Sequence, residues 1–87
     1  MNESGAQNET RSHTFSVLVD NETGVLHRVV GLFSGRGYNI DSLTVSEVDP
    51  VSGYSKITIV TWGSESVINQ IREQLRRLVP VQKVSDL

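Results

Sequence analysis

Between Thr14 and Leu87 the spacing of apolar residues switches from a period of two to a helical period and back again, twice. No other feature narrows the possible folds as much. Phe15, Val17 and Val19 alternate with Thr14, Ser16 and Leu18, which is strand periodicity in a β-branched run. Asp20-Asn21-Glu22-Thr23-Gly24 then supplies turn formers. Leu26, Val29, Val30 and Phe33 follow at i, i+3, i+4 and i+7, predicting one face of a helix with Thr23 as N-cap and Gly35 or Gly37 as its stop.

Tyr38 to Val48 reads as a second strand in which Ile40 is out of phase with Leu43 and Val45, so a bulge near Asp41-Ser42 is expected. Asp49-Pro50-Val51-Ser52-Gly53 is a hairpin loop. Tyr54 to Trp62 forms a third strand, with Lys56, Thr58, Val60 and Trp62 on one side and Ile57 and Ile59 on the other. Ser64 can cap a second helix whose stripe is Val67/Ile68, Ile71, Leu75 and Leu78, with Arg72, Arg76 and Arg77 on or beside the opposite face. Pro80 follows it, and Val81 to Leu87 makes a short last strand.

The order is β-α-β-β-α-β. Two right-handed β-α-β units joined by a hairpin give an α+β, ferredoxin-like fold: a four-stranded antiparallel sheet with both helices on one face. The other face is left uncovered. Only Met1 and Ala6 are apolar before His13, so residues 1–12 read as a polar, disordered tail and residues 13–87 as the single domain. A core of about 75 residues is marginal. Without cysteine or an evident metal cluster, oligomerisation is the natural remaining support.

Charge and composition exclude several classes. A net charge of −2 offers no basic field for nucleic acid. No apolar run approaches the roughly 20 residues needed to span a bilayer, and no charged-then-apolar segment opens the chain. Asn8-Glu9-Thr10 and Asn21-Glu22-Thr23 match glycosylation sequons, which count only in a secreted chain. The expectation is a soluble, cytoplasmic protein without membrane or nucleic-acid partners.

Catalytic candidates are scarce. His13 and His27 have no serine or cysteine nucleophile at a recognisable spacing, and Asp20, Glu22, Asp41, Glu47 and Asp49 are scattered as solvated carboxylates. Gly35-Arg36-Gly37 lacks the third glycine of a dinucleotide fingerprint and stands after a helix instead of before one. An RNA-recognition domain shares the topology but needs clustered aromatic residues and basic flanks. Small phosphatases of this fold need an anion-binding arginine in the first turn, where Asp20-Asn21-Glu22 would repel the anion.

The first turn remains. Backbone N–H groups from Gly24 through Val25 to Leu26 begin a helix and carry its positive end, suited to a carboxylate. Asp20 and Asn21 place acceptors nearby for an ammonium group, and Asn39 could add an amide contact. Together these suit an α-amino acid. Taken alone, the loop is better explained as a polar turn with a helix cap.

The run Asn21-Glu22-Thr23-Gly24-Val25-Leu26-x-Arg28-Val29-x-Gly31-Leu32-Phe33-Ser34-x-Arg36-Gly37-Tyr38-Asn39-Ile40-Asp41-Ser42-Leu43-Thr44-Val45 resembles the opening of the regulatory (small) subunit of acetolactate synthase, also called acetohydroxyacid synthase. Arg36 to Leu43 is its most specific piece. The closing Gln74-Leu75-x-x-Leu78-Val79-x-Val81-x-Lys83-Val84-x-Asp86-Leu87 resembles the end of the same module, an ACT domain. The resemblance implies a non-catalytic chain that activates a catalytic large subunit and confers feedback inhibition by valine or another branched-chain amino acid. Thiamine diphosphate, magnesium and FAD are then expected only in that partner, with no cofactor and no metal site in this chain. It further implies a homodimer of side-by-side ACT domains, with the effector where the first turn of one chain meets the second strand of the other.

Residue by residue, Asn21, Gly24, Val25 and Leu26 match the turn, and Asn39 and Ile40 match the start of strand two. Gly24 and Leu26 would act through backbone groups, Asn21 and Asn39 through side-chain amides. His27 stands where members commonly carry a small polar or apolar residue, a departure that bears on how tightly an effector packs. Many members continue into a second domain, whereas this sequence stops at Leu87. The other reading is a free-standing ACT amino-acid sensor serving a different enzyme or a transcription system.

Overall fold

The computed structural model describes residues 9–20, 24–49, 51–78 and 81–87. Its elements run β1 (Arg11–Asp20), α1 (Val25–Arg36), β2 (Asn39–Asp49), β3 (Tyr54–Gly63), α2 (Glu65–Arg77) and β4 (Val81–Asp86). The sheet order is β2-β3-β1-β4, antiparallel at every pairing. This is the expected ferredoxin-like arrangement. Strand β1 starts at Arg11, so Arg11 and Ser12 belong to the sheet, opposite Gly63 and Trp62, instead of to a tail. The remainder of the expected tail, Met1 to Asn8, lies outside the described residues.

Alternation decides which strand residues are buried. Phe15, Val17 and Val19 of β1 and Ile57 and Ile59 of β3 face both helices, packed with Val25, Val29 and Phe33 of α1 and Ile68, Ile71 and Leu75 of α2. On β2 the pairing register shifts between Ile40 and Ser42. That bulge returns Ile40 and Leu43 to the same side, against Thr61 and Ile59, as their spacing demanded.

Helix α1 departs from expectation. Its buried residues are Val25, Val29 and Phe33, with Leu32 packed against them, while Leu26 and Val30 are 38% and 39% exposed. Seven of the nine residues from Val25 to Phe33 are apolar or glycine, so period alone could not choose the inward stripe. The N-cap position is Gly24, not Thr23, which lies outside the described residues. Of the two candidate stops, Gly37 ends the helix. It takes a left-handed conformation (φ 72°), and the N–H groups of Gly37 and Tyr38 donate to the carbonyls of Ser34 and Phe33 at 3.3 and 2.9 Å. In α2 the Ser64 hydroxyl accepts from the Val67 N–H at 3.2 Å, and Glu65 and Arg76/Arg77 suit the two ends of the helix dipole.

Strand β4 is held from the side. Arg72 of α2 grips Asp86 with Nε at 3.0 and 3.2 Å and Nη2 at 2.9 Å, and lies over the Phe15 ring. His13 Nε2 stands 3.6 Å from the same carboxylate. Hydrogen bonding from Arg72 foremost, opposed by slight desolvation, holds the Asp86 carboxyl below the usual range.

Candidate functional site

The turn that delivers β1 into α1 combines three properties. Gly24 has no side chain to cap the helix, and no acidic residue occupies the first turn. The Arg28 N–H closes the first helical bond on the Gly24 carbonyl at 3.1 Å, which leaves the N–H groups of Val25, Leu26 and His27 ahead of the ladder. A Cβ built on Gly24 would meet nothing within 4 Å, so the positive end of α1 opens outward. Asn21, the first expected ligand, lies outside the described residues.

Beneath the turn lies a depression of about 180 Å³, lined by Val19, Asp20, Val25, Leu26, Val45, Ser55 and Ile57. Its floor is aliphatic, and Asp20 is the carboxylate in its lining. Val45, 49% exposed, and Ser55, buried beside it, were not among the expected residues. Val45 faces the helices by register, yet sits on an edge strand with no neighbour beyond it, and only the strand order reveals that. A second, apolar depression of about 310 Å³ runs along the outer side of α1 between Leu26, His27, Val30 and Gly31. Leu26 joins the two.

The other expected residues behave differently. The Val25 side chain is committed to the core, so only its backbone is available to a ligand. Ile40 packs against the core at the far end of the sheet. Asn39 is exposed there, its Nδ2 donating to Asp41 Oδ1 at 3.1 Å and its carbonyl accepting from the Thr61 hydroxyl. Asn39 pairs with Trp62, which pairs with Ser12, whereas Asp20 pairs with Tyr54. From Ser12 to Asp20 is roughly 26 Å at strand rise. One chain therefore does not bring Asn39 to Gly24, and the amide contact expected from their chemistry cannot form within a single copy.

Among the described residues no group of His, Asp and Glu could hold a metal ion, and no helix is long and apolar enough to cross a membrane. A groove of about 600 Å³ between the end of α1 and α2 is polar and charge-balanced, with Arg36 and Arg77 against Glu65 and Glu73.

Sequence comparison agrees with this architecture. Residues 15–83 match the family model of the AHAS small subunit-like ACT domain. The chain is 56% identical over 72 residues to the acetolactate synthase isozyme 3 small subunit of Escherichia coli, covering 83% of this chain and 44% of that protein. It is 54% identical over 72 residues to the acetolactate synthase small subunit of Buchnera aphidicola, covering 83% and 45%. The crystal structure of the acetolactate synthase small subunit from Thermotoga maritima superposes with a TM-score of 0.78 at 42% identity, over 87% of this chain and 47% of that one. The chain thus spans less than half the length of these relatives. With the sheet order, the two helices and the glycine-opened first turn in agreement with that match, the chain belongs to the small-subunit-like ACT domains of acetolactate synthase.

Proposed function

We propose that this chain is a non-catalytic regulatory subunit of acetolactate synthase, active in the cytoplasm as a side-by-side homodimer that binds valine or a related branched-chain amino acid. One observation carries the reading: the Gly24 turn and Asn39, the two groups suited to an amino acid, lie at opposite ends of the same sheet. Strand β2 is an edge of that sheet. Pairing β2 with the β2 of a second copy about a two-fold axis sets the Asn39 end of one against the Gly24 end of the other.

In that seam the α1 amides receive the effector carboxylate, the Asn39 end of the second copy closes over its ammonium, and the aliphatic depression under Leu26 and Val45 accepts a branched side chain. Leu26 and Val30, exposed in one copy, are covered by the second. The effector acts by binding one state of the assembled enzyme more tightly than another. Thiamine diphosphate, magnesium and FAD are assigned in this scheme to the catalytic large subunit.

The test is reconstitution. Purified chain is mixed with an acetolactate synthase large subunit, and acetolactate formation is followed with and without valine. Stimulation by the chain and its reversal by valine are expected. Neither stimulation nor co-purification would favour the free-standing amino-acid sensor instead.

A further inference from the structure

The sheet face turned away from the helices has a composition of its own. By register it carries Thr14, Ser16 and Leu18 of β1, Lys56, Thr58, Val60 and Trp62 of β3, Ser42, Thr44 and Ser46 of β2, and Lys83 and Ser85 of β4. Leu18 pairs with Lys56 on one side and with Lys83 on the other. These are the only two lysines of the chain, and they lie in one row across β3, β1 and β4 toward the Asp20 end of the face, about 10 Å apart at two strand spacings. Both are exposed, and neither has a carboxylate at ion-pair distance among the described residues. Asp20, which neighbours the row by register, accepts from Gln82 Nε2 at 2.9 Å. Trp62, 45% exposed, and Tyr54 stand toward opposite ends of the same face.

We infer that this open face docks an acidic, partly apolar surface of the protein that the chain regulates, through Lys56, Lys83 and Trp62. The inference rests on the regulatory reading above, which commits the β2 edge and the outer side of α1 to the second copy. The groove between the helices is charge-balanced and offers no preferred sign.

Keeping a sheet face solvated needs charge of either sign. A chain with ten acidic and eight basic residues would most simply meet that need with acids, yet here it concentrates both lysines in one row. A second copy stacked face to face would bury unpartnered hydroxyls and lysines without supplying carboxylates to meet them, which is costly. A nucleic acid would demand a broader basic field than two lysines in a chain of net charge −2. A protein with carboxylates set to meet the row, and an apolar contact for the exposed indole, satisfies both features.

The test uses the full chain and its large subunit. Lys56→Glu with Lys83→Glu should weaken association about tenfold or more at low ionic strength, and the two affinities should converge at about 0.5 M salt. The milder pair Lys56→Gln with Lys83→Gln should fall between them. Dimer mass and valine affinity should stay as in the wild type, since neither lysine lies in the seam.

If the wild type binds and both variants bind equally well with the same salt dependence, the inference is overturned while the regulatory reading stands. If the reversal changes the oligomer mass instead, the face is a contact between copies and the inference also fails. If the wild type binds no large subunit at all, the regulatory reading itself fails and takes the inference with it.

Discussion

At the scale of single residues, Gly24 separates stability from recognition. Its φ of −83° is open to any residue and a Cβ there touches nothing, so Gly24→Asp introduces no strain. A carboxylate at the positive end of α1 favours the helix dipole, so unfolding should become harder by about 0.3–1 kcal/mol. The same carboxylate occupies the place proposed for the effector's own. Gly24→Asp should therefore raise Tm slightly, abolish valine inhibition and leave complex formation intact; persistent inhibition would refute the site. Asn39→Ala removes an exposed side chain bonded to Asp41, and should lower calorimetric valine affinity without lowering Tm.

Asp86 gives a pH signature unrelated to the effector. Its folded-state pKa lies below the ordinary value, so the Arg72 contact stabilises the fold fully at neutral pH and the gain is lost as pH falls below 3.8 through the lower folded value. The group is 43% exposed, so solvent screening limits the effect to about 0.5 kcal/mol. Asp86→Asn should cost that much in urea unfolding at pH 7 and nothing at the acid end. A difference that persists undiminished in acid would assign the loss to packing.

At the scale of elements, the two helices contrast. Helix α2 was readable because its apolar residues are few and evenly spaced: Ile68, Ile71 and Leu75 are buried where the stripe placed them, and Ser64 caps it. Helix α1 was readable as a helix but not as a fully oriented one, because apolar residues surround it: the buried stripe keeps Val29 and Phe33 of the expected one but takes Val25 in place of Leu26 and Val30. The two glycines at its end divide cleanly. Gly35 is helical with open space around it, so Gly35→Ala should stabilise by about 0.5–1 kcal/mol. Gly37 is left-handed, so Gly37→Ala should destabilise by about 1 kcal/mol. Thermal melts of the pair would show opposite shifts, and equal signs would contradict the observed cap.

At the scale of the whole molecule, the β2 edge of the described sheet is where the proposed pairing can be tested. A marginal core and an exposed Leu26, Val30 and Val45 alongside an unpaired strand are together the conditions under which a second copy adds stability. Val45→Lys places a charge on that edge, where one copy tolerates it because the side chain is already half exposed. Sedimentation should then show a shift from dimer toward monomer, with the folded spectrum retained. An unchanged dimer would mean that the copies associate elsewhere.

The order of six elements, the buried alternation of β1 and β3, the bulge at Asp41-Ser42 and the inward face of α2 were all determined by the sequence alone, because each follows from local periodicity, capping and backbone sterics. The opening of α1 at Gly24 was legible for the same reason, although its cap was expected one residue earlier. Three things were decided only by tertiary structure: which stripe of α1 turns inward, that Asn39 and Gly24 stand at opposite ends of the sheet, and that Lys56 and Lys83 flank Leu18 in a single row. Each depends on strand order and pairing register, which are set by hydrogen bonds between segments far apart in the chain and leave no trace in the spacing of near neighbours.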